Sequence, residues 1–188
     1  MALIYFVTHP RSEVTPSVPM NKWQLSDQGL IEARRLLDLP WWQDVQELYS
    51  SPEPKALTVA QMVEVKYNLD VSIEECLREL DRKGDSVLEY DDFIAASKQV
   101  YTTPSESVRG WETAYDAADR IFRCITSSVK KSPDTVFAII SHPMIGGLFH
   151  SHINQSEPDY EQDDPKGTAR FFVVNFEERR IIQDWNSY

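Results

Sequence analysis

The sequence has no long apolar run and a deficit of cationic side chains. No stretch approaches the ~20 consecutive apolar residues that a membrane-spanning helix requires, and no basic segment precedes an apolar run near the N-terminus, so no secretory signal is predicted. Lysine and arginine number 19 against 30 acidic residues, which gives a formal net charge of −11. Because nucleic acids and anionic membranes bind cationic surfaces, we expect neither as a partner. An acidic surface with exposed tryptophan candidates permits a dimer without requiring one.

Cysteine is also scarce, with only Cys76 and Cys124 in the chain. Both lie in stretches with helical patterning, and two cysteines do not make the disulfide framework of a small secreted protein. The sequence therefore predicts two free thiols in a reducing compartment, and with them a cytoplasmic location.

Two buried apolar runs each end in a histidine followed by a proline. The first run, Leu3–Val7, is continuous rather than alternating, which is typical of a strand buried on both faces. It leads to His9, and the proline that follows cannot continue a strand ladder. The second run, Val136–Ile140, leads to His142 in the same way. Either histidine alone could simply end a strand, but the repetition favours a shared site, since α/β sheets bind ligands at the carboxyl ends of their strands.

Strand and helix patterns alternate along the 188 residues, and a hairpin pattern closes the chain. This alternation predicts an α/β fold, a three-layer α/β/α sandwich with a mostly parallel central sheet, in a single domain spanning 1–188. A proline-rich loop over residues 10–24 is a candidate wall of the site. Helical patterning is predicted over 91–101 and 106–131. The polar, irregular segment at about 74–110 is predicted to be an insertion that covers the site.

The residues near the two histidines suit a phosphate group. Lys55 begins a predicted helix, and Arg11 closely follows His9. Imidazoles, cationic side chains and helix amino ends together favour a doubly charged anion. A neutral imidazole nitrogen can also attack phosphorus in line, while cations stabilise the equatorial oxygens and an acid protonates the leaving alcohol.

Six short motifs follow one another along nearly the whole chain. They are Thr8-His9-Pro10, Leu25-Ser26-Asp27-Gln28-Gly29, Ser50-Ser51-Pro52-Glu53-Pro54-Lys55-Ala56, Leu77-Arg78-Glu79, Ser105-Glu106-Ser107 and Ser141-His142-Pro143. In this order and spacing the chain resembles the histidine phosphatase, or phosphoglycerate mutase-like, superfamily. Members of that superfamily carry Arg-His-Gly, Leu-Thr/Ser-x-x-Gly, Ser-Ser-x-x-x-Arg-Ala, a glutamate after a Leu-x pair, Gly-Glu-Ser and Ser-His-Gly.

The resemblance implies a function and a role for each matching residue. His9 would become phosphorylated, His142 would stabilise the transferring phosphoryl group, and Lys55 would replace a phosphate-binding arginine. Glu79 falls at the position of the general acid, with a solvated helix carboxylate as the alternative. The implied enzyme is a metal-independent phosphomonoester hydrolase without a cofactor, acting on a phosphorylated small molecule or a phosphoprotein.

The chain departs from the superfamily pattern at the phosphate-binding positions. Thr8 replaces an arginine that grips phosphate bidentately, and a lysine at 55 is only a point charge. Arg11, Arg82 and Arg109 are candidates for a compensating guanidinium, and the sequence does not choose between them. The departures motivate an alternative function, a catalytically impaired phospho-ligand binding or regulatory protein on the same fold.

Two patterns imitate metal sites. The residues that imitate an EF-hand calcium loop are Asp81, Asp85, Glu89 and Asp92. Lys83 occupies a ligand position of that loop, and Ser86 stands where its sharp turn needs glycine. His150 and His152 lie two residues apart on a predicted helix and do not face the same way. No metal site is predicted.

Overall fold

The computed structural model describes residues 1–82, 88–163 and 169–188. The strands are β1 (Leu3–Thr8), β2 (Glu47–Ser50), β3 (Val71–Ile73), β4 (Val136–Ser141), β5 (Arg170–Asn175) and β6 (Arg180–Ser187). The helices are α1 (Asp27–Leu36), α2 (Pro54–Tyr67), α3 (Tyr90–Thr102), α4 (Ala114–Lys131), α5 (Pro143–Asn154) and α6 (Tyr160–Asp163). Within the described ranges, no helix is both long and apolar enough to cross a lipid bilayer.

One six-stranded sheet has the order β3-β2-β4-β1-β5-β6. The first four strands in that order are parallel, and the hairpin of β5 and β6 adds two antiparallel strands beside β1. The predicted α/β fold with a mostly parallel sheet is therefore confirmed. Because β1 and β4 are neighbours with Thr8 opposite Ser141, the residues that follow them, His9 and His142, emerge side by side.

Apolar side chains cover both faces of the sheet. In β1, Phe6 packs with the side chains of α4 and α5, whereas Val7 packs with those of α1 and α2. Successive strand residues point to opposite faces, so an unbroken apolar run is the pattern that a doubly covered strand requires. Full burial of such a side chain stabilises the fold by roughly 1.5–3 kcal/mol, which holds the carboxyl end of β1 in place.

The start of α1 fixes the backbone just beyond His9. The backbone N–H and the hydroxyl of Ser26 both donate to the carbonyl of Arg11, at 2.9 and 3.2 Å, and the hydroxyl oxygen accepts the N–H of Gly29. A Cβ atom at Gly29 would lie 2.1 Å from the Arg11 carbonyl oxygen, so only glycine permits this approach. This contact explains why a serine and a glycine at this spacing accompany the histidine motif.

The helix predicted from residue 106 begins later, at Ala114. Arg109 and Gly110 have left-handed φ angles of 54° and 81°, which interrupt a right-handed helix. The hydroxyl of Thr113 accepts the N–H of Asp116 and caps the helix at its observed start.

The two cysteines are joined in a disulfide, so the prediction of free thiols is wrong. Cys76 lies in a short 3-10 turn rather than in a helix, and Cys124 lies on α4. The packing of α4 against that turn brings the sulfurs together across a separation of 48 residues. The spacing of the cysteines cannot reveal such a tertiary contact, and cysteines that form a disulfide do not indicate a reducing compartment.

Candidate active site

Two buried histidines converge at the carboxyl ends of β1 and β4. The ring centroids of His9 and His142 are 5.2 Å apart, with the ring planes inclined at 68°. The backbone N–H of His9 donates to the Ser141 carbonyl at 3.0 Å, which continues the strand register into the site. His9 is 5% exposed and His142 is fully buried, so both rings are largely shielded from solvent.

The tautomer of His9 follows from its hydrogen bond. Its Nδ1 lies 2.7 Å from the carbonyl oxygen of Pro10, which can only accept, so Nδ1 carries the hydrogen. Burial lowers the pKa of His9 well below 6.5, and the charge of Lys55 and the proximity of the titratable His142 lower it further. In the resulting neutral ring the lone pair is on Nε2, the nitrogen that can attack an electrophile.

One ring nitrogen of His142 is hydrogen-bonded, and the other has no hydrogen-bond partner among the described residues. Its Nε2 lies 2.6 Å from Oγ of Ser51, and that oxygen already accepts the N–H of Glu53, so the hydroxyl hydrogen is available to Nε2. Burial, followed by the charges of Lys55 and Arg82, lowers the pKa of His142 well below 6.5. The neutral ring then carries its hydrogen on Nδ1, a buried atom without a hydrogen-bond partner among the described residues.

A buried carboxylate that the sequence analysis did not identify lies behind these groups. Oε2 of Glu53 is 2.9 Å from Nζ of Lys55, which also donates to the Met20 carbonyl at 2.9 Å. Oε1 of Glu53 accepts the N–H of Glu79 at 2.8 Å and lies 3.6 Å from Nε2 of His142. The side chain precedes the first residue of α2, and no sequence signal distinguishes an inward from an outward glutamate there.

The carboxylate of Glu79 caps the N-terminus of α5. Oε1 accepts the N–H groups of Leu80 and Ile145, both at 2.9 Å, and Oε2 accepts that of Met144 at 3.2 Å. Glu79 lies in a loop and is 8% exposed, so the alternative of a solvated helix carboxylate is wrong. A negative charge at a helix N-terminus is favourable, and here it fixes the carboxylate beside the helix that begins after His142.

Two of the candidate phosphate-binding residues, Thr8 and Arg11, make other contacts, and a third, Arg109, is exposed. The hydroxyl of Thr8 donates to the Arg170 carbonyl and accepts the Arg170 N–H, both at 3.1 Å, so it is engaged with β5. Nε of Arg11 lies 3.0 Å from Oε1 of Glu32, and the Arg11 side chain is 67% exposed. Arg109 is exposed in the turn before α4.

Arg82 is the candidate arginine whose guanidinium reaches the site. Its NH1 lies 3.4 Å from Sδ of Met20 and its NH2 lies 3.2 Å from Sδ of Met144. The guanidinium carbon is 5.0 Å from the ring centre of Phe93 and 5.3 Å from that of Trp111. Met144 is the second residue of α5, which begins directly after His142.

The described structure covers only part of the calcium-like pattern. Residues Lys83, Asp85 and Ser86 of the calcium-like loop lie outside the described residues. In the three ranges that the structure covers, no group of three or more histidines, cysteines, aspartates or glutamates could hold a metal ion.

Comparison with known sequences identifies one family. The model of the histidine phosphatase superfamily (branch 1) matches residues 4–187. No curated protein matches the sequence.

Solved structures with the same fold cover almost the whole chain. YhfR of Bacillus stearothermophilus is 15% identical, with a TM-score of 0.81 over 97% of this chain and 95% of that chain. Mycobacterial glucosyl-3-phosphoglycerate phosphatase Rv2419c, solved with VO3, is 17% identical, with a TM-score of 0.83 over 99% of each chain. Phosphoserine phosphatase of Entamoeba histolytica, solved with 3-phosphoglyceric acid, is 15% identical, with a TM-score of 0.81 over 100% of this chain and 98% of that chain. At these identities the likeness shows a common fold.

Proposed function

The chain belongs to the histidine phosphatase superfamily, and from that membership we propose that it is a metal-independent phosphomonoester hydrolase with a phosphohistidine intermediate. The observation that carries the proposal is the pair of buried, neutral imidazoles of His9 and His142 with ring centroids 5.2 Å apart. The neutral ring of His9 supplies a nucleophile, and the neighbouring neutral ring of His142 supplies a hydrogen-bond donor to the same phosphoryl group. The named phosphatases with this fold support a phosphatase-type activity.

The first chemical step transfers the phosphoryl group to His9. Nε2 attacks phosphorus, a nitrogen–phosphorus bond forms, and the bond from phosphorus to the ester oxygen breaks. The imidazole gains positive charge, which the Pro10 carbonyl stabilises through its bond with Nδ1–H. His142 Nδ1–H and Lys55 act on the phosphoryl oxygens, and protonated Glu79 donates to the leaving oxygen.

The second step returns the enzyme to its starting state. A water molecule attacks the phosphohistidine phosphorus, the nitrogen–phosphorus bond breaks, and inorganic phosphate leaves. Glu79, now a carboxylate, takes the proton of the water. The pair of electrons in the broken bond returns to Nε2 of His9, which is again neutral.

One observation favours a second candidate function, a phospho-ligand binding or regulatory protein with impaired catalysis. Glu53 lies 2.9 Å from Nζ of Lys55 and offsets part of its charge, and Thr8 presents no cation. Weaker stabilisation of a dianion slows phosphoryl transfer more than it weakens retention of a bound phosphate, since only transfer requires the transition state.

Turnover of p-nitrophenyl phosphate by the wild type, His9→Ala and His152→Ala separates the two functions. His152 lies near the end of α5 with its ring against Phe122, so His152→Ala is the matched control. We expect turnover that EDTA leaves unchanged and vanadate inhibits, retention in His152→Ala, and loss in His9→Ala. Equal rates in wild type and His9→Ala contradict the proposed enzyme. No turnover in the wild type, with measurable binding of inorganic phosphate, favours the binding protein.

A further inference from the structure

The guanidinium of Arg82 has hydrogen-bonding capacity that the described residues leave largely unused. Its Nε is buried and has no hydrogen-bond partner among the described residues. Among the described residues, the hydrogen-bond contacts of its NH1 and NH2 are with the thioether sulfurs of Met20 and Met144, at 3.4 and 3.2 Å. A thioether is a weak acceptor, whereas a guanidinium presents five N–H donors that match carboxylate and phosphate oxygens.

The surroundings of Arg82 hold its position without neutralising it. The rings of Phe93 and Trp111 lie 5.0 and 5.3 Å from the guanidinium carbon, at distances typical of cation–π contacts. Such contacts favour the cation and leave the N–H edges open to an acceptor. In the part of the chain that the structure describes, no carboxylate forms an ion pair with Arg82.

Arg82 and Lys55 approach the same residue of the 10–24 loop. Lys55 donates to the backbone carbonyl of Met20, and Arg82 contacts the Met20 sulfur. Lys55 already forms an ion pair with Glu53, so Arg82 is the cation more available to bind an anion. After burial and Lys55, the charge of Arg82 also contributes to the lowered pKa of His142, followed by that of Arg120.

We propose that Arg82 is the phosphate-binding guanidinium that Thr8 cannot supply, with phosphoryl oxygens replacing the two thioether sulfurs as its acceptors. This inference rests on the proposed function for its role in turnover, but phosphate binding tests it separately. The exchange is favourable because hydrogen bonds between ionised partners are about twice as strong as neutral ones. Arg82 therefore enters the site from the 74–110 segment rather than from the strand that carries His9.

Binding of inorganic phosphate to the wild type, Arg82→Gln, Arg82→Lys and Arg123→Gln tests the proposal directly. Arg123 lies on α4 with a side chain 79% exposed and paired with Asp119, so its substitution is the matched control. We expect the phosphate Kd and the p-nitrophenyl phosphate kcat/KM to worsen roughly 10- to 150-fold in Arg82→Gln. Arg82→Lys is expected to have an intermediate phosphate Kd and kcat/KM, because lysine keeps the positive charge but lacks the paired N–H donors of the guanidinium. Arg123→Gln is expected to match the wild type.

Chemical rescue distinguishes phosphate binding from a structural role. Millimolar guanidinium chloride is expected to restore part of the kcat/KM of Arg82→Ala and to leave Arg123→Gln unchanged. If Arg82→Gln fails to fold by thermal melting, Arg82→Lys decides the outcome. A phosphate Kd within about twofold of the wild-type value in the folded Arg82 variants overturns the inference. Loss of activity with unchanged phosphate affinity and no rescue by guanidinium chloride also overturns it. Equal activity in His9→Ala would instead refute the proposed function, while the phosphate Kd still tests Arg82.

Discussion

At the scale of single residues, Glu79 combines a structural contact with its proposed chemistry. Three backbone N–H groups, from Leu80, Met144 and Ile145, hold its two oxygens at the start of α5. Oε1 accepts two of these bonds and Oε2 accepts one, so Oε2 keeps a lone pair that can carry a proton. A substitution at Glu79 therefore affects helix capping and acid catalysis together, and a test must separate the two effects.

Glu79→Gln should slow hydrolysis more for esters with poor leaving groups. p-Nitrophenolate leaves without protonation, whereas an alcohol or an unsubstituted phenol needs a proton from the acid. We expect kcat/KM, which reports phosphoryl transfer to His9 and not the later hydrolysis step, to fall by roughly 10²- to 10⁴-fold for phenyl phosphate and far less for p-nitrophenyl phosphate. A structural effect alone would reduce both rates by the same factor, and that result would contradict the assignment of Glu79 as the acid.

Stability should fall as the pH falls below 6.5, because the pKa values of both site histidines are depressed in the folded state. Below that value the unfolded chain binds protons that buried His9 and His142 do not, so unfolding becomes more favourable. Urea unfolding at about pH 7.5 and about pH 5.5 measures the effect. We expect a smaller loss of stability on acidification in His9→Asn than in the wild type. An identical loss in both proteins would show that His9 does not contribute.

At the scale of elements, the segment that carries Glu79 is held against α4 by two kinds of contact. The Cys76–Cys124 disulfide joins the preceding turn to the helix. Arg120, also on α4, donates to the carbonyls of Cys76 and Glu79 at 2.6 and 3.4 Å, and pairs with Glu112 at 2.8 Å. The hydrogen bonds from Arg120 to the two carbonyls position the segment in the folded state, and the disulfide restricts the unfolded chain as well.

Reduction of the disulfide should lower the free energy of unfolding by about 2–4 kcal/mol, because it frees a long loop in the unfolded chain. Urea unfolding with and without reductant measures the change. Activity of the reduced protein under native conditions should be largely retained, since Arg120 still holds the segment. The double variant Cys76→Ser/Cys124→Ser is the control, and reductant should not affect it. An unchanged midpoint for the reduced wild type would contradict this account.

At the scale of the whole molecule, the fold and the meeting of the two histidines could be predicted from the periodicity of apolar residues and from sheet topology. The unbroken apolar runs before His9 and His142 predict two buried parallel strands, and adjacent parallel strands bring their carboxyl ends together. The inward turn of Glu53, the disulfide and the choice of Arg82 over Arg11 depend on contacts between distant segments. No local pattern encodes those contacts. Arg11 follows His9 closely yet pairs with Glu32, whereas Arg82 is remote in sequence yet reaches α5.

The measurement that tests the central claim most directly is the trapping of a phosphoryl group on the protein. The variant His142→Ala retains the nucleophile His9 and lacks the hydrogen-bond donor that we propose stabilises phosphoryl transfer. Rapid mixing of this variant and of the wild type with p-nitrophenyl phosphate, followed by an alkaline quench, can follow the phosphohistidine intermediate. Intact mass spectrometry and peptide mapping then locate the label. We predict one phosphoryl group per chain, on His9, and none in His9→Ala. A label on another residue, or turnover with no phosphorylated protein at any time point, contradicts the account.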